Sequence, residues 1–290
     1  MDGLIIINKE KGISSFGVVS RVRKLFNTKK VGHCGTLDPE AMGVLPIMIG
    51  NATKVSKYLV EHDKEYCATV KFGVKTDTAD EEGNVLKTDD FRLKKEDKIK
   101  YVELLKSFYG KQEQLPPMYS AIKVNGKKLY EYARNGEEIQ RNARRIEIYS
   151  IRLESLNFEE NEMTFYVSCS KGTYIRTLCE DIAEKFGTIG YMKRLIRTRV
   201  DSFDIDHSVK LDELENEVER EKFVISLEEV FKDKEKIVLN NRKSEFFFNG
   251  VKLTFNVPDG VYRIYNQESF LGLGVVSDAL LKRDVVVDKT

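Results

Sequence analysis

Hydrophobic residues recur along this chain with two spacings, one typical of strands and one typical of helices. Residues 3–8 and 44–49 are short apolar runs, as expected of buried strands. In residues 64–72 apolar side chains occupy every second position, which predicts a strand with one buried face. Further strands are predicted at residues 146–158, 163–169 and 192–200.

Helical spacing appears between these strands. Val18, Val19 and Val22 share one face, with Ser14 or Ser15 as the N-cap of the helix. Further helices are predicted at residues 53–60; at 95–108, where Ile99, Val102, Leu105 and Phe108 form one packing stripe; from Thr173 to Phe186; and at 212–221, which is densely acidic. Strands outnumber helices and pair mainly with their neighbours, so we expect an α+β fold with helices on one face of a mixed sheet.

The C-terminal residues differ in character from the rest. From about residue 236 the pattern is β-rich, with strands expected at 261–265 and 270–276 around a polar turn. A length of 290 residues suits one large domain plus a small one. We therefore predict a boundary between residues 1–232 and 233–290.

The segment at residues 32–43 interrupts these periodicities. Three glycines and a proline lie in it, so its backbone is set by dihedral requirements. It places His33 and Asp38 in a loop, and the apolar Leu37 and the buried strand that follows anchor that loop. A reactive carboxylate at the edge of a core is one interpretation, and an Asp-Pro turn with no other role is the alternative.

Residues 114–145 form a second distinctive segment. A Pro-Pro pair breaks regular structure and Asn125-Gly126 signals a hairpin turn. Cations and tyrosines are interleaved here, which is typical of a flap that clamps RNA, although a charge run can also be a solvated face. The residues are Lys123, Lys127, Lys128, Arg134, Arg141, Arg144, Arg145, Tyr119, Tyr130 and Tyr132.

Composition narrows the function classes. The 48 basic and 47 acidic side chains nearly cancel, so any nucleic-acid surface must come from local clustering. The four cysteines show no C-x-x-C spacing and the three histidines are far apart, which argues against a metal site. We find no signal peptide and no apolar run long enough to span a bilayer, so we expect a cytoplasmic protein.

The loop at residues 32–43 has the pattern G-H-x-G-x-L-D-P-x-A-x-G, and it resembles the signature of the bacterial tRNA pseudouridine-55 synthases. The resemblance continues in the family's order through four further blocks and reaches about Phe203. These blocks are residues 64–66, 114–121, 127–134 and 170–178. The resemblance implies the pseudouridine-synthase fold, a largely antiparallel mixed sheet with flanking helices around a central cleft. The tail looks like a small PUA-type RNA-binding domain.

What the resemblance implies for catalysis concerns three residues. Asp38 would be the nucleophile, attacking either the ribose or the base, and Arg176 would be its charge partner. Tyr66 would stack on the extracted uracil and could help to remove the C5 proton. Without the resemblance, Tyr66 would be interpreted as a core residue and Arg176 as an exposed helix arginine.

The resemblance also implies substrate contacts. Tyr174 and Leu195 would line the pocket, and His33 would touch the displaced or neighbouring base, with a purely structural histidine as the alternative. The family usually has two arginines after this leucine, whereas here Ile196 precedes Arg197. The implied RNA-binding cations are Lys123, Lys127, Lys128, Arg134, Arg141, Arg144 and Arg197, with Lys193, Arg194 and Arg199 as further phosphate contacts.

The expected activity is the isomerisation of uridine 55 in the T-loop of tRNA, by a monomer that needs no protein partner. No group enters or leaves in this reaction, so we expect no cofactor and no metal, in agreement with the lack of a P-loop or G-x-G-x-x-G motif. Two alternatives stay open. One is a guide-RNA-directed pseudouridine synthase, and the other is a tRNA-binding or tRNA-folding module without turnover.

Overall fold

A computed structural model describes residues 2–59 and 62–287, and twenty strands and eight α-helices lie within them. The strands are β1 (Gly3–Lys9), β2 (Val31–His33), β3 (Met42–Ile49), β4 (Lys64–Phe72), β5 (Val74–Thr76), β6 (Val85–Thr88), β7 (Gly110–Gln114), β8 (Lys123–Val124), β9 (Lys127–Lys128), β10 (Arg144–Asn157), β11 (Glu162–Cys169), β12 (Gly190–Val200), β13 (Phe203–Asp204), β14 (Val209–Lys210), β15 (Ile225–Ser226), β16 (Lys236–Leu239), β17 (Leu253–Thr254), β18 (Gly260–Asn266), β19 (Ser269–Ser277) and β20 (Leu280–Val286). The α-helices are α1 (Ser15–Leu25), α2 (Ser56–Leu59), α3 (Lys98–Lys106), α4 (Leu129–Arg134), α5 (Ile175–Lys185), α6 (Leu211–Asn216), α7 (Leu227–Val230) and α8 (Asn241–Phe248).

One mixed sheet of eleven strands organises the N-terminal part of the chain. Its main path runs β14-β1-β3-β12-β4-β11-β10-β7, with β2, β13 and β15 paired at the sides. The pairs β1/β14 and β3/β12 are parallel and the remaining pairs are antiparallel. This arrangement confirms the predicted α+β class with a mixed, largely antiparallel sheet, and β12 and β4 lie at the centre of the path.

The predicted alternation in residues 64–72 is confirmed. Tyr66, Ala68, Val70 and Phe72 are all buried on one face of β4, where they pack with the apolar faces of α1, α3 and α5 in the largest core cluster. The strands predicted at 146–158 and 163–169 are also present, paired antiparallel as β10 and β11. The longer helices α1, α3 and α5 therefore cover one face of the sheet, as the patterning indicated. The short helices α2 and α7 differ, because Leu59 and Leu227 pack with Leu4 and Met48 on the opposite face.

Two predicted helices differ in detail. In the predicted helix at 95–108, Ile99 is 75% exposed, and the buried residues are Tyr101, Leu105 and Phe108. Steps of three and four residues follow the 3.6-residue period, whereas repeated steps of three drift off one face. The predicted acidic helix at 212–221 is divided, because α6 ends at Asn216 and a 3-10 helix covers Arg220–Phe223.

The helix predicted at 53–60 also takes another form. A 3-10 helix at Gly50–Val55 leads into α2, and residue 60 lies outside the described residues. Across residues 2–59 and 62–287, no helix has both the length and the apolar character needed to cross a membrane.

A second sheet of five strands, β16-β18-β19-β20-β17, occupies the C-terminal part of the chain and confirms the predicted β-rich tail. It packs against the first sheet through a small core that contains Leu4 and Met48 from one side and Leu273 and Val285 from the other. Cys34, from the loop after β2, is buried in the same core.

Candidate active site

Buried polar side chains hold the loop between β2 and β3 in place. The Ser15 hydroxyl donates to the Leu37 carbonyl and accepts from the Leu37 N–H, both at 2.8 Å. The ammonium of Lys9 donates to the Pro39 carbonyl at 2.8 Å. Asp38 lies between these two anchors, so its main chain is fixed on both sides while its side chain is 42% exposed. The loop thus presents one carboxylate from a rigid support.

Arg176, in the first turn of α5, is the charge partner of this carboxylate. Its Nη2 lies 3.1 Å from Asp38 Oδ2, and its side chain is only 7% exposed. The same guanidinium donates to the carbonyls of Tyr119 at 2.7 Å and Thr78 at 3.2 Å, and lies 3.8 Å from the carboxylate of Asp80. A buried guanidinium that is held by several acceptors has a fixed geometry, so it also fixes the position of the Asp38 carboxylate.

A cavity of about 750 Å³ opens beside this ion pair. The structure brings five of the residues predicted for the site to its wall: Asp38, Tyr66, Tyr174, Arg176 and Leu195. The wall also includes Tyr119 and Tyr130 from residues 114–145, and Lys64 from β4. A carboxyl group, aromatic rings and cationic side chains therefore converge on a space large enough for a nucleoside.

Tyr66 lies deep in this cavity, with 7% of its surface exposed. Burial raises the pKa of its phenol to about 12, and the nearby Arg197 guanidinium partly opposes that rise. The hydroxyl is therefore protonated at neutral pH. In this state Tyr66 can present an aromatic face and a hydrogen-bond donor to a ligand.

His33 is placed differently from the other predicted site residues. It ends β2, is half-buried and does not lie on the cavity wall. Its Nδ1 has no hydrogen-bond partner among the described residues. Burial lowers the pKa of the imidazole and Arg197 lowers it further. A contact between His33 and a displaced base stays a prediction.

The structure argues against the phosphate contact predicted for Arg197. The side chain is 1% exposed. Its guanidinium donates to the carbonyls of Val44 at 2.7 Å, Gly35 at 3.2 Å and Thr36 at 3.3 Å. The donors are thus directed at the backbone around the Asp38 loop rather than at solvent, so Arg197 supports that loop from the interior of the protein.

This position predicts a structural effect for Arg197→Met. The buried Val44 carbonyl would lose its donor, as would the part-buried carbonyls of Gly35 and Thr36. An unsatisfied buried group costs about 1–3 kcal/mol, so the free energy of unfolding should fall by about that amount. Urea denaturation measures this. Arg194→Met, on the exposed side of the same strand, is the control and should change stability by less than about 0.5 kcal/mol. Unchanged stability together with weaker RNA binding would restore the phosphate role.

Residues 114–145 form the predicted excursion from the sheet, between the end of β7 and the start of β10. The Asn125-Gly126 turn is confirmed: both residues have positive φ, 51° and 83°, and they connect β8 to β9. The cations of Lys128 and Arg134 each lie 5.3 Å from the ring centroid of Tyr130. The segment therefore presents stacked cations and aromatic rings beside the cavity.

The cations of this flap differ in exposure. Lys123, Lys127, Arg134 and Arg144 are exposed and Lys128 is half-buried. Arg141 is only 14% exposed and pairs with Glu138 at 3.1 Å, so it is the member least available to a ligand.

Sequence reasoning missed residues that act through the main chain or through distant contacts. Asp80 belongs to no motif or periodic segment of the sequence, yet it lies beside Arg176. Ser15 was considered only as a helix cap, although the N-cap is Ser14 and Ser15 holds Leu37. Lys9 is fully buried, which is unusual for a lysine and has no signal in the local pattern. Within the described residues, no group of three His, Cys, Asp or Glu side chains is arranged to hold a metal ion.

Comparison with known structures supports the fold. A chain in the crystal structure of a Cbf5-Nop10-Gar1 complex superposes with a TM-score of 0.69 at 24% identity, covering 99% of this chain and 84% of the other. A chain in the structure of an H/ACA ribonucleoprotein bound to a substrate RNA containing 2'-deoxyuridine gives a TM-score of 0.68 at 22% identity, with the same coverage.

Comparison with sequences is more specific. The tRNA pseudouridine synthase B of Clostridium kluyveri is 42% identical over 289 residues, covering 97% of this chain and 98% of that protein. The enzyme of the same name from Clostridium perfringens strain SM101 is 44% identical over 283 residues, covering 94% and 95%. Residues 176–238 match the model of the tRNA pseudouridylate synthase B C-terminal domain. Since residues 23–175, more than half of the chain, match the N-terminal domain of the TruB family pseudouridylate synthases, the chain belongs to that family.

Proposed function

We propose that this protein converts uridine 55 in the T-loop of tRNA to pseudouridine, with Asp38 as the nucleophile. The observation that carries the proposal is the Asp38–Arg176 ion pair at the edge of a cavity lined by Tyr66 and Tyr174. In the reaction the bond between uracil N1 and ribose C1′ breaks and a bond between C5 and C1′ forms. C5 loses a proton and N1 gains one, so the product is an isomer of the substrate.

The target base must leave its stack to reach Asp38. Extruding a nucleotide costs a few kcal/mol, and an aromatic platform returns about 1–3 kcal/mol per base. Tyr66 and Tyr174 supply such platforms on the cavity wall, and Leu195 adds an apolar contact. Base extrusion is therefore energetically feasible at this site.

Asp38 can act as a nucleophile only in its ionised form. The buried guanidinium of Arg176 supplies the opposite charge, and its contacts with Thr78 and Tyr119 keep it in place. This arrangement supports attack on either the ribose or the base, and both routes use the same carboxylate.

Tyr66→Phe should slow catalysis more than it weakens tRNA binding. The ring and its stacking stay, while the hydroxyl that can help to move the C5 proton is lost, so kcat should fall about 10-fold or more. Single-turnover kinetics and filter binding separate the two effects. Unchanged kinetics would remove the acid–base role of the hydroxyl and leave stacking alone.

The flap is the proposed clamp for the T stem-loop. Neutralising Lys127 and Lys128 together to Gln should weaken tRNA binding and flatten its salt dependence, by up to about one phosphate contact per lysine. The matched control replaces the exposed Lys98 and Lys100 of α3 by Gln. If both double variants have the wild-type salt slope, the flap does not contact the RNA backbone.

The proposal also includes a domain boundary between residues 232 and 233, with residues 233–290 as a PUA-like RNA-binding module. The five-stranded sheet that begins at Lys236 supports this boundary. We also propose that the enzyme acts as a monomer, without a protein partner, in the cytoplasm. The four free cysteines agree with a reducing compartment.

A guide-RNA-directed activity is the alternative, because chains of similar fold occur in H/ACA ribonucleoproteins. The deciding experiment incubates the pure protein with an unmodified tRNA transcript and maps pseudouridine by position. Isomerisation at position 55 without added RNA or protein supports the proposal. Binding without isomerisation indicates a folding module, and activity that appears only with a guide RNA supports the alternative.

A further inference from the structure

One buried amide holds the main chain of Tyr174. Gln114, the last residue of β7, is 3% exposed. Its side-chain oxygen accepts from the Tyr174 N–H at 2.8 Å, and its side-chain nitrogen donates to the Tyr174 carbonyl at 3.0 Å. The amide therefore brackets a residue that follows it by sixty positions, and both of its hydrogen-bonding groups are used.

These two hydrogen bonds hold the start of α5, which has no side-chain cap of its own. Tyr174 is the N-cap residue, with φ −96° and ψ 112°, and no side chain caps the helix there. An uncapped N-terminus has no local device that fixes where the helix begins. Gln114 fixes it from outside, two residues before Arg176.

The first limb of the flap is joined to the same turn of α5. The Thr177 hydroxyl donates to the Leu115 carbonyl at 3.4 Å, and Arg176 Nη2 donates to the Tyr119 carbonyl at 2.7 Å. Together with the two Gln114 bonds, these contacts join three residues at the root of the flap to three at the start of α5: Gln114, Leu115 and Tyr119 to Tyr174, Thr177 and Arg176. The root of the flap and the catalytic arginine therefore form one unit.

We propose that Gln114 is a positioning residue of the active site. It acts through Tyr174, by setting the pocket-wall phenol and the first turn of α5 that carries Arg176, and it links both to the root of the flap. This inference rests on the proposed function. Misplacing a reacting or binding group by about 1 Å can cost about 100-fold in rate, so loss of the bracket should appear mainly in kcat.

The test compares Gln114→Met with Gln112→Met. Gln112, on the same strand, donates to the Phe108 carbonyl at 2.8 Å, so the same substitution removes a side chain–backbone bond that does not reach α5. At saturating tRNA, Gln114→Met should lower kcat about 10- to 100-fold with tRNA affinity within about threefold of wild type. Gln112→Met should stay within about twofold in both. Equal losses of kcat in the two variants would overturn the proposal.

Gln114→Glu provides a pH-dependent comparison. Its ionised carboxylate accepts from the Tyr174 N–H but sets a second acceptor against the Tyr174 carbonyl in a site that is 3% exposed, so kcat at high pH should be as low as that of Gln114→Met. Protonation supplies the missing donor, so kcat relative to wild type should rise as the pH falls. A wild-type kcat at high pH would contradict the bracket.

A double-mutant cycle isolates the part of this effect that the Tyr174 phenol carries. Tyr174→Ala keeps the main-chain groups that Gln114 bonds and removes only the phenol, so Gln114→Met should lower kcat less in this background than in wild type. Full additivity of the two effects would exclude the positioning of the phenol by Gln114.

Hydrogen exchange gives a readout that is independent of activity. Amides of residues 172–178 should exchange faster in Gln114→Met than in Gln112→Met or wild type. Unchanged protection there would refute the inference whether or not the protein modifies tRNA. Wild-type protein that modifies no tRNA, with the exchange difference present, would refute the proposed function instead.

Discussion

Asp38→Asn should abolish isomerisation, with kcat lower by about 10⁴-fold or more, because an amide is not a nucleophile. The side chain keeps its volume and is 42% exposed, so the fold should tolerate the change. Affinity for tRNA should stay within about threefold of wild type, since one exposed carboxylate contributes little to RNA binding. Rapid-quench assays for product and filter binding at constant salt measure the two quantities.

The matched control for this experiment is Glu40→Gln. Glu40 lies on the same loop and pairs with Lys11 at 2.8 Å, so the variant removes one negative charge near the site without touching Arg176. It should retain activity within about threefold, as expected for an ion pair with an exposed lysine. A large loss of tRNA affinity in Asp38→Asn, but not in Glu40→Gln, would mean that Asp38 is structural.

Arg176→Lys should lower kcat by about 100- to 1,000-fold, although the charge is conserved. A single ammonium cannot reproduce the contacts that the guanidinium makes with Asp38, Asp80 and the carbonyls of Thr78 and Tyr119. Because the side chain is only 7% exposed, acceptors left unpaired would also destabilise the fold. Kinetics at saturating tRNA should therefore be reported beside a denaturation curve.

Arg152→Lys is the control for that substitution. Arg152 is 64% exposed, pairs with Glu154 at 2.8 Å on strand β10, and does not lie on the wall of the cavity. Its replacement should leave both kcat and stability near wild type. If Arg176→Lys is as active as Arg152→Lys, a point charge is sufficient and the fixed geometry of the guanidinium is not needed.

Most of the fold could be predicted from the sequence where the pattern was long and local. The alternation in β4 and the hairpin of β10 and β11 depend on neighbouring residues, so their period of two was visible in the sequence. The Asn125-Gly126 turn was visible for the same reason, since its backbone requires positive φ. The order of strands in the sheet was not visible in the sequence, because it depends on contacts between residues that are far apart along the chain.

The family motifs identified the residues that meet in the cavity, but the supporting residues required the structure. Asp80 and Gln114 belong to segments that have no periodicity of their own, and their partners lie about sixty to a hundred positions away. Arg197 is different, because a signal was available. Arg197 follows Leu195 by two positions on a strand, so both side chains point to the same, inward face of the sheet. Because arginine is usually exposed, its charge favoured a solvent-facing interpretation.

The burial of Cys34 has a consequence for the β-rich tail. Cys34, the residue after His33, lies in the same apolar core as Leu273 and Val285 of the tail, so the tail belongs to the packing that shapes the loop of Asp38. Close-packed interiors do not absorb changes of side-chain volume, so a larger or smaller residue at position 273 should disturb this loop. Replacing the tail with one from another protein would therefore change the support of the Asp38 loop as well as the surface that the tail exposes.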